Sequence, residues 1–106
     1  PAACNDLAAR LIDLGHYDAA VQVSGLALAA AATTKEAERA FHLGIDAMLA
    51  AGRPVDALTL AESRLAAISP DTRIWRRMTW LALGANRPIP AARYARRVVG
   101  LEPAGE

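Results

Sequence analysis

The chain has 106 residues, of which 54% are hydrophobic and 22% are charged, which indicates one globular domain rather than a disordered chain. No apolar run reaches the roughly 18 residues that span a bilayer, and the start lacks the pattern of a signal peptide. The single cysteine excludes an internal disulfide and a cysteine-based metal site, and it favours a reducing compartment. We therefore expect a single domain, residues 1–106, that is cytoplasmic and does not insert into a membrane.

Charge is distributed unevenly along the chain, although the formal net charge is only +1. Residues 1–70 carry eight acidic and five basic side chains, whereas residues 71–106 carry seven arginines and three acids. The C-terminal third is therefore the basic end. Much of the apolar content is alanine, which lets helices approach closely but buries little area. We expect each helix pair to depend on its neighbours.

The first two predicted helices flank a turn at Gly15. Three leucines recur at i, i+4 and i+7, the spacing of one helical stripe: Leu7, Leu11 and Leu14. The spacing predicts a first helix over residues 2–14 with these leucines as its apolar face. Gly15 follows where a left-handed residue ends a helix. A second helix is predicted over residues 17–32.

The third and fourth predicted helices flank a turn at Gly52. Thr33 and Glu36 form the capping-box pattern, in which the hydroxyl accepts from an amide of the first turn and the carboxylate reaches back. The third helix, predicted from Glu36, ends at Gly52. Pro54 suits the first turn of the fourth helix, because no N–H is needed there. That helix is predicted to run to about Ile68.

The fifth and sixth predicted helices follow the same pattern. Ser69 and Pro70 predict a cap and a first-turn proline for the fifth helix. Its apolar positions are Ile74, Trp75, Met78, Leu81 and Ala82. Pro88 opens the sixth helix, which is predicted to continue to Gly100, and residues 101–106 are predicted to form a frayed tail.

The turns recur with a period typical of helical-hairpin arrays. Gly15, Gly52 and Asn86 occupy equivalent positions, 37 and 34 residues apart. The three predicted repeats cover about residues 1–33, 34–69 and 70–103. A small residue recurs early in each second helix: Ala20, Ala57 and Ala91.

This pattern resembles the tetratricopeptide repeat, and the segment from Gly15 to Ala20 matches it best. Four positions depart from the family pattern: Cys4 for a large aromatic, Ala8 for glycine, Gly44 for leucine and Arg64 for alanine. The resemblance implies an all-α fold of about six helices, with three antiparallel helix-turn-helix units stacked as a short right-handed α-solenoid.

In such arrays the first helix of each pair lines a concave groove. Carried over position by position, the resemblance implies groove residues Asn5, Asp6, Ala9 and Asp13 in the first repeat. In the second repeat they are Arg39, His42, Leu43, Asp46 and Leu49. In the third repeat they are Arg73, Arg76, Arg77, Trp80 and Leu83. This groove would run from acidic to basic.

We therefore expect a non-enzymatic module that binds a peptide or partner helix, with an acidic segment of the partner near Arg73, Arg77 and Trp80. Arginine pairs bidentately with carboxylates, and tryptophan offers a flat apolar face. The alternative interpretation is a solvated arginine face around a core tryptophan.

One family mechanism is not expected here. Tetratricopeptide domains that hold a chaperone's C-terminal carboxylate use lysine and asparagine in the first two repeats, where this chain has Asn5, Ala9 and Leu43. Only the third-repeat pair is matched, so binding to a chaperone tail is not predicted.

Other chemistry has weaker support. His42 and Asp46, four residues apart, could transfer a proton or supply half a metal site, but an ordinary surface hydrogen bond is the commoner outcome. The chain has no phosphate-binding loop, nucleophile elbow or zinc-protease motif. We expect no catalytic activity, no cofactor and no metal.

Two alternative functions stay open. A small bacterial secretion chaperone of the type III kind, or an obligate subunit, would hold an apolar helix, because Val98, Val99 and Leu101 are candidates for exposure at the end of the array. A continuation of the chain, a second copy or a partner helix could cover them. The second alternative is a nucleic-acid-associated regulator, which is less favoured because Tyr94 is the only aromatic residue among four arginines: Arg87, Arg93, Arg96 and Arg97.

Overall fold

The structure is a computed structural model that describes residues 2–101, and of Leu101 it describes only the backbone. Within this range it contains six α-helices and no strand. The helices are α1 (Ala2–Asp13), α2 (Tyr17–Ala29), α3 (Thr34–Ala50), α4 (Pro54–Arg64), α5 (Thr72–Gly84) and α6 (Pro88–Leu101). The predicted all-α class, built from helical hairpins, is confirmed. No helix among the described residues has both the length and the apolar character needed to span a membrane.

The chain divides into two compact units, Pro1–Ser69 and Pro70–Glu106, called here the N-terminal and C-terminal units. In the N-terminal unit α1 pairs with α2, α3 pairs with α4, and α3 also packs against both α1 and α2. In the C-terminal unit α5 and α6 form one hairpin. The boundary between the units coincides with the predicted boundary between the second and third repeats.

The turns within the three hairpins, α1–α2, α3–α4 and α5–α6, share one geometry. Gly15, Gly52 and Asn86 all have positive φ, at 82°, 73° and 59°. After each of them, a backbone N–H bonds to the carbonyl five residues earlier, as in a Schellman motif. These bonds join His16 to Leu11 at 2.8 Å, Arg53 to Met48 at 3.0 Å and Arg87 to Ala82 at 2.8 Å. The equivalence of the three predicted repeats is therefore visible in their hydrogen bonds.

The predicted cap of α3 is confirmed, with one difference. The Thr33 hydroxyl oxygen accepts from the Glu36 amide at 3.1 Å. The Glu36 carboxylate accepts from the Ala32 amide at 3.0 Å, one residue earlier than the cap residue itself. The helix accordingly begins at Thr34, two residues before the predicted start.

The predicted cap of α5 is wrong. Asp71, not Ser69, is the N-cap, and its carboxylate accepts from the Ile74 amide at 3.1 Å. Pro70 therefore precedes the cap and is not in the first helical turn. Pro54 and Pro88 do open α4 and α6.

Two helices are shorter than predicted. α2 ends at Ala29 rather than Ala32, because the chain needs residues 30–33 to reverse direction before α3, and alanine propensity alone does not show this. α4 ends at Arg64 and is followed by a 3-10 turn, Leu65–Ala67, instead of continuing to Ile68. α6 reaches Leu101, and the rest of the predicted tail, residues 102–106, lies outside the described residues.

The leucine stripe predicted for the first helix is not its buried face. The side chains of Leu7 and Leu14 are 52% and 54% exposed, whereas the buried residues of α1 are Asn5 and Ala8. The leucines do share a face, but that face is not the one by which α1 packs on α2 and α3. The small residue that recurs after each turn is buried in all three hairpins: Ala20, Ala57 and Ala91.

Candidate partner-binding groove

An apolar groove of about 230 Å³ lies between α5 and α6 in the C-terminal unit. α5 contributes a stripe at i, i+3, i+4 and i+7: Arg76, Thr79, Trp80 and Leu83. α6 contributes a second stripe at i, i+3 and i+4: Ala95, Val98 and Val99. Each helix therefore presents one face to the groove.

The large apolar side chains that line the groove are exposed to solvent. Trp80 is 72% exposed and Val99 is 73% exposed, and Leu83 is exposed as well. Isolated exposed apolar residues are common on protein surfaces, but a contiguous set in a concave site is typical of a binding surface. The aromatic face of Trp80 offers the largest apolar area to a ligand.

Aromatic contacts join the two helices that carry the groove. The Trp75 and Tyr94 rings stack with their centroids 5.9 Å apart and their planes at 28°. The guanidinium carbon of Arg97 lies 5.2 Å from the centre of the Trp75 ring, a cation–π distance. Arg97, assigned by the sequence to a basic surface, therefore also packs over an aromatic ring of the hairpin.

The groove is equivalent to a surface that is covered in the N-terminal unit. The repeat spacing maps four groove positions, Arg76, Thr79, Ala95 and Val98, onto Asn5, Ala8, Ser24 and Ala27 of the first hairpin. Those four residues are all buried, in the hairpin against which α3 packs.

Two observations show that α3 occupies this surface of the first hairpin. The Asn5 side-chain amide donates to the backbone carbonyl of Glu36 at 3.1 Å. A Cβ placed on Gly44 of α3 would lie 2.9 Å from the Ser24 hydroxyl oxygen, so the two helices are in close contact. The α5–α6 groove therefore has the position in which the first helix of a following repeat packs.

Only some of the predicted groove residues of the third repeat line the α5–α6 groove. Arg76, Trp80 and Leu83 line the α5–α6 groove. Arg73 does not line it; its guanidinium contacts the Asp71 carboxylate at 2.9 Å. Arg77 does not line it either and is half-buried.

In the N-terminal unit the structure brings Asp6 and Arg39 together and corrects Asn5. Asp6 and Arg39 form an exposed ion pair at 2.8 Å between α1 and α3. Asn5, predicted to face a groove, is 1% exposed and buried at the contact with α3. Its position on a helix face predicted exposure, but α3 covers that face.

The other predicted groove residues lie on α1 and α3. Asp13 is exposed at the end of α1. His42 and Asp46 are half-buried, and the His42 ring meets the Phe41 ring edge-on with centroids 5.5 Å apart. Ala9 and Leu43 are half-buried, and Leu49 is exposed. A single groove shared by all three repeats stays a prediction.

The sequence assigned Trp80 and Val99 to different surfaces, a concave groove and the end of the array. The structure places both in one groove. The repeat alignment could have predicted that Trp80 and Val99 lie in one groove, because both correspond to residues that flank the buried surface of the first hairpin.

Arg64, which is half-buried, makes a contact that the sequence did not predict. Its guanidinium donates to the Ser24 hydroxyl at 2.7 Å and to the Val21 carbonyl at 3.1 Å, linking α4 to α2. A Cβ on Gly44 would lie 2.5 Å from this guanidinium, so the glycine provides the space. Burial lowers the pKa of Arg64. The missing side chain of Gly44 and the long side chain of Arg64 thus fit together at this contact.

No family model, curated protein or solved structure matches this chain significantly. Among residues 2–101 there is no cluster of three or more histidine, cysteine or acidic side chains placed to hold a metal. The tetratricopeptide resemblance stays a prediction from the repeat spacing and the equivalent residues.

Proposed function

We propose that this protein is a non-enzymatic, tetratricopeptide-like interaction module that binds an amphipathic helix with acidic side chains in the α5–α6 groove. One observation carries the proposal: exposed Trp80 and Val99 line a groove at the position that α3 fills in the first hairpin. Burying such a surface against an apolar stripe gives favourable free energy, mostly from the hydrophobic effect.

A helix suits this groove better than an extended strand. Both walls are helical stripes, and the equivalent surface of the first hairpin receives a helix, α3. Recognition of this kind uses apolar anchors at i, i+3, i+4 and i+7 of the ligand helix. The groove has no exposed sheet edge to which a strand could add.

The positive charge of the C-terminal unit favours acidic side chains on either side of the apolar stripe of the ligand helix. Residues 71–106 carry seven arginines and three acids, and Arg76 forms part of the groove wall. Arginine forms charge-assisted hydrogen bonds with carboxylates. A ligand helix with glutamates beside its apolar stripe therefore fits the groove better than a lysine-rich one.

The proposal can be tested with a labelled synthetic helix of about four turns, with leucines at i, i+3, i+4 and i+7 and glutamates on its flanks. Fluorescence anisotropy measures its Kd for the full chain. Trp80→Ala should weaken binding by roughly 30-fold, the effect of losing an interface hot spot. A second helix with lysines in place of the glutamates should bind more weakly, most clearly at low salt.

The chain offers a matched control on α6. Val99 lines the groove and Ile89 does not, yet their side chains are 73% and 74% exposed. Val99→Ala should weaken binding of the glutamate helix, whereas Ile89→Ala should leave the Kd unchanged. Circular dichroism confirms that both variants are folded. Equal Kd values for the wild type and Trp80→Ala, or equal losses from Val99→Ala and Ile89→Ala, would refute the proposal.

A further inference from the structure

α1 has an apolar face that is exposed although the equivalent faces of the other repeats are buried. Ala3 and Leu7 are exposed, whereas their equivalents are buried in both later repeats: Ala40 and Gly44 in α3, and Ile74 and Met78 in α5. Leu14, in the turn just after α1, is 54% exposed, whereas its equivalents are half-buried Ala51 and buried Ala85. Ala3, Leu7 and Leu14 are called here the α1 face.

The second repeat shows what this face contacts when it is covered. Gly44, the equivalent of Leu7, lies against Ser24 of α2, since a Cβ there would be 2.9 Å from the hydroxyl oxygen. α3 thus packs through this face onto the preceding hairpin. α1 carries the corresponding face as the first helix of the first repeat.

The α5–α6 groove is the complementary surface. It is equivalent to the part of the first hairpin on which α3 packs, and its large apolar side chains are exposed. The chain therefore presents both halves of one repeat-to-repeat interface, the α1 face on its first helix and the groove on its last hairpin.

The charges of the two regions favour contact between the α1 face and the α5–α6 groove. Residues 1–70 carry eight acids and five basic residues, whereas residues 71–106 carry seven arginines and three acids. α1 itself contains Asp6 and Asp13 with a single cation, Arg10. Asp6 pairs with Arg39 of its own chain, and Asp13 is exposed at the end of the helix. α1 therefore combines exposed apolar side chains with an exposed carboxylate, which is the ligand chemistry proposed for the groove.

We propose that the helix bound in the α5–α6 groove is α1 of a second copy of this chain, in a head-to-tail arrangement. The inference rests on the proposed function, because it names the partner for the same groove. The two contacting surfaces differ, so the interface is heterologous. Repeated docking produces a ring when the rotation closes and an open filament when it does not.

Two single variants of the full chain test the arrangement. Leu7→Asp disables the α1 face, and Trp80→Asp disables the groove; both side chains are exposed, so both variants should fold. In sedimentation velocity the wild type should show a weight-average mass that rises with concentration beyond that of a dimer. Each variant alone should associate at least about tenfold more weakly.

An equimolar mixture of the two variants gives the decisive result. The mixture retains one intact pair of surfaces, the groove of Leu7→Asp and the α1 face of Trp80→Asp. It should therefore form a 1:1 dimer with nearly wild-type affinity and grow no further. Leu26→Asp is the matched control, because Leu26 is 67% exposed on α2 and belongs to neither surface. It should associate like the wild type.

Other outcomes overturn the inference in distinguishable ways. If Leu7→Asp associates like the wild type and Trp80→Asp does not, the groove pairs with a second groove and the α1 face is not the occupant. If the wild type stays monomeric at all concentrations while the synthetic acidic helix still binds, the partner is another protein and the proposed function survives. If neither the synthetic helix nor a second copy binds, both proposals fail.

Discussion

The first and last hairpins have the same turn geometry but opposite surroundings. In α1–α2 the surface formed by Asn5, Ala8 and Ser24 is small, partly polar and covered by α3. In α5–α6 the equivalent surface is flanked by Trp80 and Val99, which are exposed. The comparison shows that one backbone repeat can form either an internal contact or a binding groove, depending on the size of its side chains and on the covering element.

A charge placed in the covered hairpin should have a large effect on stability, because α3 excludes solvent from that surface. Asn5 is buried, and its side-chain oxygen has no hydrogen-bond partner among the described residues. Asn5→Asp puts an unpaired carboxylate there and should lower the free energy of unfolding at pH 7 by about 3 kcal/mol. Burial raises the pKa of such a carboxyl, so the loss should shrink as pH falls toward about 4. Urea denaturation measures both.

Two controls separate charge from position. Arg76→Asp makes the same side chain at the equivalent, exposed position of the last hairpin and should change stability by less than about 0.5 kcal/mol. Asn5→Leu removes the unpaired oxygen together with the hydrogen bond to Glu36, so it should cost only about 1 kcal/mol. Comparable losses for Asn5→Asp and Arg76→Asp would contradict the difference in covering between the two hairpins.

The second effect concerns the close contact between α3 and α2. Gly44→Ala would place a methyl group 2.5 Å from the Arg64 guanidinium and 2.9 Å from the Ser24 hydroxyl oxygen. The Arg64 guanidinium must then shift away from its position beside Ser24, which costs more than the gain in helix propensity, so we expect a net loss of about 1 kcal/mol in thermal or urea unfolding. Gly84→Ala is the control, because no atom lies within 4 Å of its added Cβ. It should stabilise α5 by about 0.5 kcal/mol. Equal changes in stability for Gly44→Ala and Gly84→Ala would show that α3 and α2 are not in close contact at Gly44.

The smallest effect tests the start of the open hairpin. Hydrogen bonds from the Arg73 side chain and the Ile74 amide lower the pKa of Asp71. Asp71→Ala removes the N-cap and should cost about 1 kcal/mol at pH 7, whereas Asp71→Asn keeps an acceptor and should cost less. Because the folded pKa lies below the unfolded value, the advantage of Asp71 over asparagine is present above about pH 4 and is lost as pH falls through the folded pKa.

Melting temperatures of the wild type and the two Asp71 variants at neutral and acidic pH measure this effect. A constant difference between the wild type and Asp71→Asn at both pH values would show that the carboxylate charge contributes nothing to the cap.

The repeat architecture could be predicted because its signals are local. Gly15 and Gly52 supply the positive φ that the turns need, Pro54 suits a first helical turn, and Thr33 caps α3 with its own hydroxyl. The Asp71 cap was missed because Ser69 and Pro70 offer an equally acceptable local pattern. Arg64 was missed because its partners, Ser24 and Val21, are about forty residues away.

The sequence alone determined which residues share a helix face and where the chain turns, because periodicity and backbone propensity act over a few residues. It placed Leu7 and Leu14 on one apolar stripe, but it did not show that this stripe is exposed. Only the tertiary structure decided which faces are covered: α3 covers Asn5, while the α1 face and the surface around Trp80 stay exposed. Burial depends on contacts between elements far apart in the chain, and helical periodicity carries no information about those contacts.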